Sequence, residues 1–258
     1  LLIPKVARRF ERTASTNTAM LEALNAGEKL NDGAVFITDD QSAGRGQGKN
    51  HWHATPGDNL TLSILVRPDH LAVDHLFVLN QFVSLALATA IEQLLPARLA
   101  ATVRIKWPND IYVGDRKIAG ILIQNGLRGS RIQWSVIGIG LNVNENSFPP
   151  ELAHSATSLR ILTGTPVALE PVLQVLFAEF TRLYPLTSGS EQGQLAAAYH
   201  ANLYRLEEWA VYREVATARE FRGRIAGVTG AGRLRVQLAD GTVPSFDLQS
   251  LRFVSSPA

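Results

Sequence analysis

At Pro96 the hydrophobic period of this chain changes, and that change sets its fold class. Upstream, between Leu71 and Leu95, residues Leu76, Leu79, Val83, Leu87, Ala90 and Leu94 recur at steps of three and four, one face of an α-helix. Proline lacks a backbone N–H and clashes with the preceding turn, so the helix ends there. Downstream, Val103–Ile105, Ile111–Val113, Ile118–Gln124 and Ile132–Ile139 read as strands, with Gly114-Asp115 and Arg128-Gly129 as turns. A long helix followed by closely spaced strands predicts an α+β fold, a central mixed or antiparallel sheet flanked by helices.

The flanking segments extend this picture. After a short lead-in, Thr16 and Asn17 can cap a helix that runs to Asn25 and stops at Gly27. Ala34–Thr38 and Leu60–Val66 read as strands around a long glycine-rich, polar loop, Gln41 to Gly57; loops of that length in compact domains are commonly functional. Helical patterns return at Leu169–Tyr184 and Glu191–His200. In the last fifty residues, Leu234, Val236 and Leu238 alternate with Arg235 and Gln237 before an Asp240-Gly241 turn, and Trp209–Tyr212, Glu220–Val228, Thr242–Phe246 and Arg252–Val254 are also short and strand-like. Such spacing predicts a small C-terminal barrel. The expected organisation is a domain of residues 1–205 followed by a barrel of residues 206–258.

Composition narrows the chemistry. A formal net charge of +2 gives no electrostatic case for nucleic acid. With no cysteine, disulfides, thiolate catalysis and Cys-based zinc sites are excluded. Leu1 to Phe10 contains Lys5, Arg8 and Arg9 and does not read as a signal peptide; the apolar stretch Phe82–Ile91 is too short to span a bilayer. A cytoplasmic protein with no DNA or membrane partner is the expectation.

Four segments carry chemistry. In Gln41-Ser-Ala-Gly44-Arg45-Gly46-Gln47-Gly48-Lys49, followed by Trp52, the glycines clear space for a ligand at backbone amides, and Arg45 can grip a carboxylate or phosphate. The spacing is neither a P-loop nor a dinucleotide fingerprint. Lys106-Trp107-Pro108-Asn109-Asp110 could be only a tight hairpin, but Lys106 and Lys117 flank the unit and strand geometry can aim both ammonium groups at one point. In Gly138-Ile-Gly140-Leu141-Asn142, glycines inside a strand mark close approach of a ligand or backbone, or else a bulge. Ser15-Thr16-Asn17 suits helix capping, and a helix N-terminus also receives polar groups.

In this order the four segments, with Arg116-Lys117-Ile-Ala-Gly120, resemble the biotin protein ligase family, closely from Arg12 to Asn144 and loosely around Thr157-Ser158-Leu159. The resemblance implies a class II synthetase-like fold shared with lipoate ligases, with an SH3-like barrel at the C-terminus. It implies that Ser15, Thr16, Asn17 and Gln41 hold the biotin ureido group, and that Arg45, Gly46 and Lys117 contact the biotin carboxylate and the adenylate phosphate. Gly44 and Gln47 belong to the same biotin loop, and Gly120, Gly138 and Gly140 let the wall approach. Trp52 would stack on adenine, Asn142 bond its edge and Lys106 bind phosphate. One common family loop has a second arginine where this chain has Gln47; Lys49 is the residue that would return that charge.

The implied reaction uses ATP and Mg²⁺ to convert biotin to biotinyl-5'-AMP, then passes biotin to a lysine of a biotin carboxyl carrier protein. A carboxylate brought to about 4 Å from a phosphate charge meets about 4 kcal/mol of repulsion at an effective dielectric near 20. Arg45, Lys106 and Lys117 converging on one pocket would offset it. Asp110 is the candidate for Mg²⁺ or for deprotonating the attacking lysine; fixing the turn after Pro108 is its other role. Gly44 to Thr55 is expected to order over the ligand. The rivals are a lipoate or octanoate ligase, a bifunctional ligase and repressor, and a non-catalytic nucleotide-binding module. Only fourteen residues precede Ser15, too few for a helix-turn-helix domain, so the form without one is expected. The resemblance also allows a homodimer through sheet edges.

Overall fold

The computed structural model describes residues 1–48 and 50–254. Its first three strands are β1 (Lys5–Thr13), β2 (Ala34–Gln41) and β3 (Leu60–Val66), with helix α1 (Thr16–Asn25) between β1 and β2. A single 3₁₀ turn, Val73–His75, leads into α2 (Phe77–Leu94), which is followed by a short α3 (Ala97–Ala100). The strand run is β4 (Val103–Lys106), β5 (Asp110–Val113), β6 (Arg116–Arg128) and β7 (Arg131–Leu141). Helices α4 (Leu159–Thr163), α5 (Leu169–Leu183) and α6 (Gln192–Ala201) precede β8 (Trp209–Glu214), β9 (Glu220–Val228), β10 (Leu234–Leu238), β11 (Ser245–Phe246) and β12 (Leu251–Phe253).

The lead-in before α1 is a strand, which the sequence pattern does not mark. Val6 and Phe10 are the only large apolar residues of β1, and a register shift between Val6 and Arg8 breaks its alternation. It pairs in parallel with β2 at the sheet edge, where one face and one side meet solvent and little apolar signal is needed. The remaining neighbours of the seven-stranded sheet, in order β1-β2-β3-β7-β6-β5-β4, are antiparallel.

Alternation along the strands assigns the two faces. Val35 and Ile37, Leu60, Leu62, Ile64 and Val66, and Ile137, Ile139 and Leu141 point into one large core with α2 and α5. The segment Val73–Leu94 is apolar and long enough to cross a membrane by composition, yet it is mostly buried inside the fold, as a core helix is. The opposite face carries Ala34, Phe36, Leu65 and Val136, which pack with Met20 and Ala23 of α1 as a second, small cluster. Because α1 has only ten residues, it covers part of that face and leaves the rest as a cleft.

The second sheet, β11-β10-β9-β8-β12, is wholly antiparallel, and its Tyr212, Ile225, Leu234, Val236 and Leu251 belong to the same buried cluster as the main core. The chain reaches it past β4: Ile105 N–H donates to Asn202 O, and Tyr204 N–H donates to Ile105 O, which covers that sheet edge. Arg205 and Glu207 then take left-handed φ of 57° and 61°. Trp107 Nε1 donates to Gly232 O at 2.9 Å, and Gly232 lies flat on the Phe77 ring, so the two sheets are packed together.

Candidate active site

The uncovered part of the α1 face forms an open cleft whose floor is made by three glycines. Gly120 of β6 stands opposite Gly140 of β7, and Gly138 shares their face two residues away. The register is regular there, so the bulge reading of these glycines does not apply; the β6–β7 shift lies at Gly126 and Leu127. A close approach occurs instead, and side chains make it. The Trp52 indole rests on Gly140 and Gly120, and the Asn17 amide rests on Gly138. A methyl group at Gly140 would stand 2.5 Å from Trp52 Nε1 and 2.6 Å from Cζ2.

At the α1 end the cleft is polar and neutral. Ser15, Thr16 and Asn17 are buried, though Ser15 makes no side-chain cap to the helix. Ser63, which is fully buried on β3, has its Oγ 2.6 Å from Asn17 Oδ1 and 2.7 Å from Thr16 Oγ1. With one proton it donates to the amide oxygen and accepts from the threonine hydroxyl. Asn17 Nδ2 donates to Gln124 Oε1 at 2.9 Å and to Leu122 O at 3.3 Å, and Thr16 N–H donates to Gln41 Oε1 at 3.0 Å. Sequence reasoning missed Ser63 and Gln124. The signal was available in β3, where polar Thr61 and Ser63 interrupt the apolar Leu60, Leu62 and Ile64 in a strand buried at every position.

The other end is charged. Arg45, Gly46 and Gln47 of the glycine loop line the cleft together with His51, Asp110 and Lys117. Lys117 Nζ is 2.7 Å from Asp110 Oδ1, both side chains about one-third exposed. The loop folds on itself: Trp52 N–H donates to Gly44 O, Gly46 N–H donates to Asn50 O, and Arg45 bridges His51. Gly44 itself lines an adjoining surface groove instead of the cleft. The loop's far end is held by buried Glu145, which accepts from Thr55 Oγ1 at 3.0 Å and Asn59 Nδ2 at 2.9 Å. Lys49 lies outside the described residues.

Asn109 is buried and donates from Nδ2 to Ile121 O at 3.1 Å, while Asp110 begins β5 and faces Lys117.

Beyond Trp52 a second hollow is lined by Trp52, Lys117, Tyr112, His53, Phe148 and Asn142. Asn142 Nδ2 donates to Thr157 O, but among the described residues its buried Oδ1 has no partner, and neither does Trp52 Nε1. Burying such atoms unpaired is unfavourable, and a ligand edge with a donor would satisfy the amide oxygen.

Lys106 does not join Arg45 and Lys117 in the cleft wall, and this corrects the expected convergence. It stands directly across the β4–β5 turn from Asp110, but its side chain runs to the second sheet. Nζ lies 4.8 Å from the Tyr112 ring centroid and 5.0 Å from that of Phe253, and donates to Tyr112 Oη at 3.1 Å. Burial lowers its pKa, Asp110 opposes that, and Lys117 and Arg205 add to the lowering. Burial also raises the Tyr112 phenol, with Asp110 and Tyr204 adding to the effect.

The chain that carries this cleft is similar to known proteins. The model of the biotin/lipoate A/B protein ligase family matches residues 9–142, just over half of the 258 residues. The chain belongs to this family. The biotin–[acetyl-CoA-carboxylase] ligase of Paracoccus denitrificans is 31% identical over 226 residues, 86% of this chain and 90% of that protein. The bifunctional ligase/repressor BirA of Bacillus subtilis is 34% identical over 157 residues, 59% of this chain and 46% of that protein, so the chain spans about half the length of that relative. Among solved structures, the biotin protein ligase of Aquifex aeolicus in complex with biotin and ATP superposes with a TM-score of 0.78 at 20% identity, covering 99% of this chain and 100% of that one. That likeness establishes the α+β fold with its second, C-terminal sheet.

Proposed function

We propose that this family member is a biotin protein ligase, which activates biotin with ATP to biotinyl-5'-AMP and transfers it to a lysine of a biotin carboxyl carrier domain. One observation carries the choice of biotin over lipoate: the buried hydrogen-bonding chain of Thr16, Asn17, Ser63 and Gln124 at one end of the cleft. A ureido ring has two N–H donors and a carbonyl and can enter such a network. A dithiolane or an octanoyl chain offers no such groups and would leave those polar atoms desolvated. The match to the P. denitrificans ligase over 90% of its length supports the same reading.

On this reading Ser15, Thr16, Asn17 and Gln41 face the ureido group, and the valeryl chain runs along the glycine floor. Arg45 and Lys117 meet the carboxylate and the α-phosphate, and their charges offset the repulsion between the two anions. Trp52 stacks on adenine, and Asn142 Oδ1 accepts from its exocyclic amine. Asp110 holds the Lys117 ammonium and is the base nearest the incoming lysine. A resident metal does not fit these residues. No group of three His, Asp or Glu is found among the described residues, and Asp110 is already engaged by Lys117. Mg²⁺ therefore enters bound to ATP, as part of the substrate. Residues 1–205 form the catalytic domain in this reading and 206–258 the C-terminal one.

The deciding experiment is mass spectrometry of a purified carrier domain incubated with the protein and MgATP, with biotin, lipoate or octanoate in separate arms. A gain of one biotin on one lysine is expected. A lipoyl or octanoyl adduct instead would overturn the assignment, and ATP binding with no adduct or pyrophosphate in any arm would leave a nucleotide-binding module.

A further inference from the structure

Lys106 is a half-buried ammonium with two other cations near it, Lys117 and Arg205, and one carboxylate, Asp110. Tyr112 and Phe253 compensate it, the first through its hydroxyl oxygen and the second through its ring. Tyr112 comes from its own sheet, and Phe253 comes from β12, in the second sheet. Phe253 is fixed in turn by Tyr204, at 6.2 Å between ring centroids, and by Tyr212, at 5.2 Å in an edge-on arrangement. The rings continue through Phe221 to Phe246, so the contact with Lys106 ends a continuous aromatic ladder through the second sheet.

This arrangement has a consequence for Tyr112, which lines the hollow beyond Trp52. Lys106 Nζ has no lone pair when charged and can only donate, so Tyr112 Oη is its acceptor. The phenol's own proton is then left to donate to something else, and an anion in the hollow is the natural acceptor.

We infer that Phe253 is a positioning residue for nucleotide binding: its ring holds the Lys106 ammonium against Tyr112, so that the Tyr112 hydroxyl is presented as a donor to the nucleotide phosphates. The inference rests on the proposed ligase reading for the identity of the anion. It gives the second sheet a defined task at the site, one that requires a π face at position 253. Bulk alone does not meet that requirement.

The test compares Phe253→Leu, which keeps apolar volume without the π face, with Phe253→Tyr, which keeps the face. Losing the phenol-to-phosphate hydrogen bond that this arrangement presents corresponds to a weakening of ATP binding of about 10-fold or more. Calorimetry with full-length protein should show that loss for Phe253→Leu, with biotin affinity unchanged and Phe253→Tyr restored to wild type. Phe221→Leu, two rings further along the ladder, should leave ATP affinity unchanged; Phe253→Met replaces the leucine variant if that one does not fold. Equal ATP affinity in Phe253→Leu and wild type would overturn the inference, as would an equal loss in Phe221→Leu. Wild type that binds ATP but releases no pyrophosphate with biotin would refute the ligase reading, while the affinity ratio still decides the role of Phe253.

Discussion

Three glycines in the β6–β7 ribbon lie beneath tryptophan rings, Gly120 and Gly140 at the cleft and Gly126 away from it. Gly140 supports Trp52 in the cleft, and Gly126 supports Trp134 at the far end of the same strand pair. Replacing either with alanine places a methyl group inside an indole: 2.5 Å from Trp52 Nε1 in the first case and 2.7 Å from Trp134 Nε1 in the second. Ordinary contact begins near 3.4 Å, so each ring must slide by roughly 1 Å or tilt away. Overpacking of this kind costs about 1–3 kcal/mol, or roughly 2–4 °C of melting temperature per kcal/mol for a chain of this size. The stability losses of the two variants should therefore be similar. Their ligand binding should not. If Trp52 is the stacking platform for adenine, Gly140→Ala forfeits most of a stacking energy of about 1–3 kcal/mol, and ATP affinity falls roughly 5- to 150-fold. Gly126→Ala should bind ATP as wild type does. Differential scanning fluorimetry and calorimetric titration with ATP, each on both variants, measure the two quantities. ATP affinity of Gly140→Ala within twofold of wild type, at a lowered melting temperature, would refute the stacking role of Trp52.

Asp110→Asn removes an ion pair whose partners are about one-third exposed, worth at most about 1 kcal/mol of stability, so melting should barely change. Adenylate formation and transfer to the carrier, measured separately by pyrophosphate release and mass gain, should both slow at least tenfold; normal rates would leave Asp110 without a role in either step. Ser63→Ala strands Asn17 Oδ1 in a buried site at about 1–3 kcal/mol, and should weaken biotin roughly tenfold or more while ATP affinity holds. Loss of both affinities together would point to collapse of the strand. Limited proteolysis should cut between Gly44 and Thr55 in the free protein and be suppressed by biotin with ATP; equal protection in both states would rule out closure of the loop over the ligand.

Much of this molecule was legible because its elements announce themselves by period. Leu60–Val66 was bounded correctly, and the long helix ends just ahead of Pro96, because buried strands and core helices need apolar residues at fixed intervals. The 3₁₀ turn before Phe77 blurred only the helix start. Strand β1 was not legible, since its partner is supplied by a segment two elements later and its own sequence carries four basic residues, Lys5, Arg8, Arg9 and Arg12. Of the site, the motif residues on β6, β7 and the glycine loop did come together in one cleft, as local patterns tied to a common sheet face allow.

Lys106 shows where such reading stops. Its neighbours in sequence, its register with Asp110 and its proximity to Lys117 all favoured a place in the cleft wall. What redirected it was Phe253, 147 residues later in the numbering of the chain, on an edge strand only three residues long that sequence pattern marked as nothing more than part of a barrel. A half-buried ammonium goes where its desolvation is best compensated, and an aromatic face is a compensator that no local charge pattern reveals. The position of a motif lysine is therefore set by the partner that the fold brings to it, and the chemistry of the motif follows only after that partner is known.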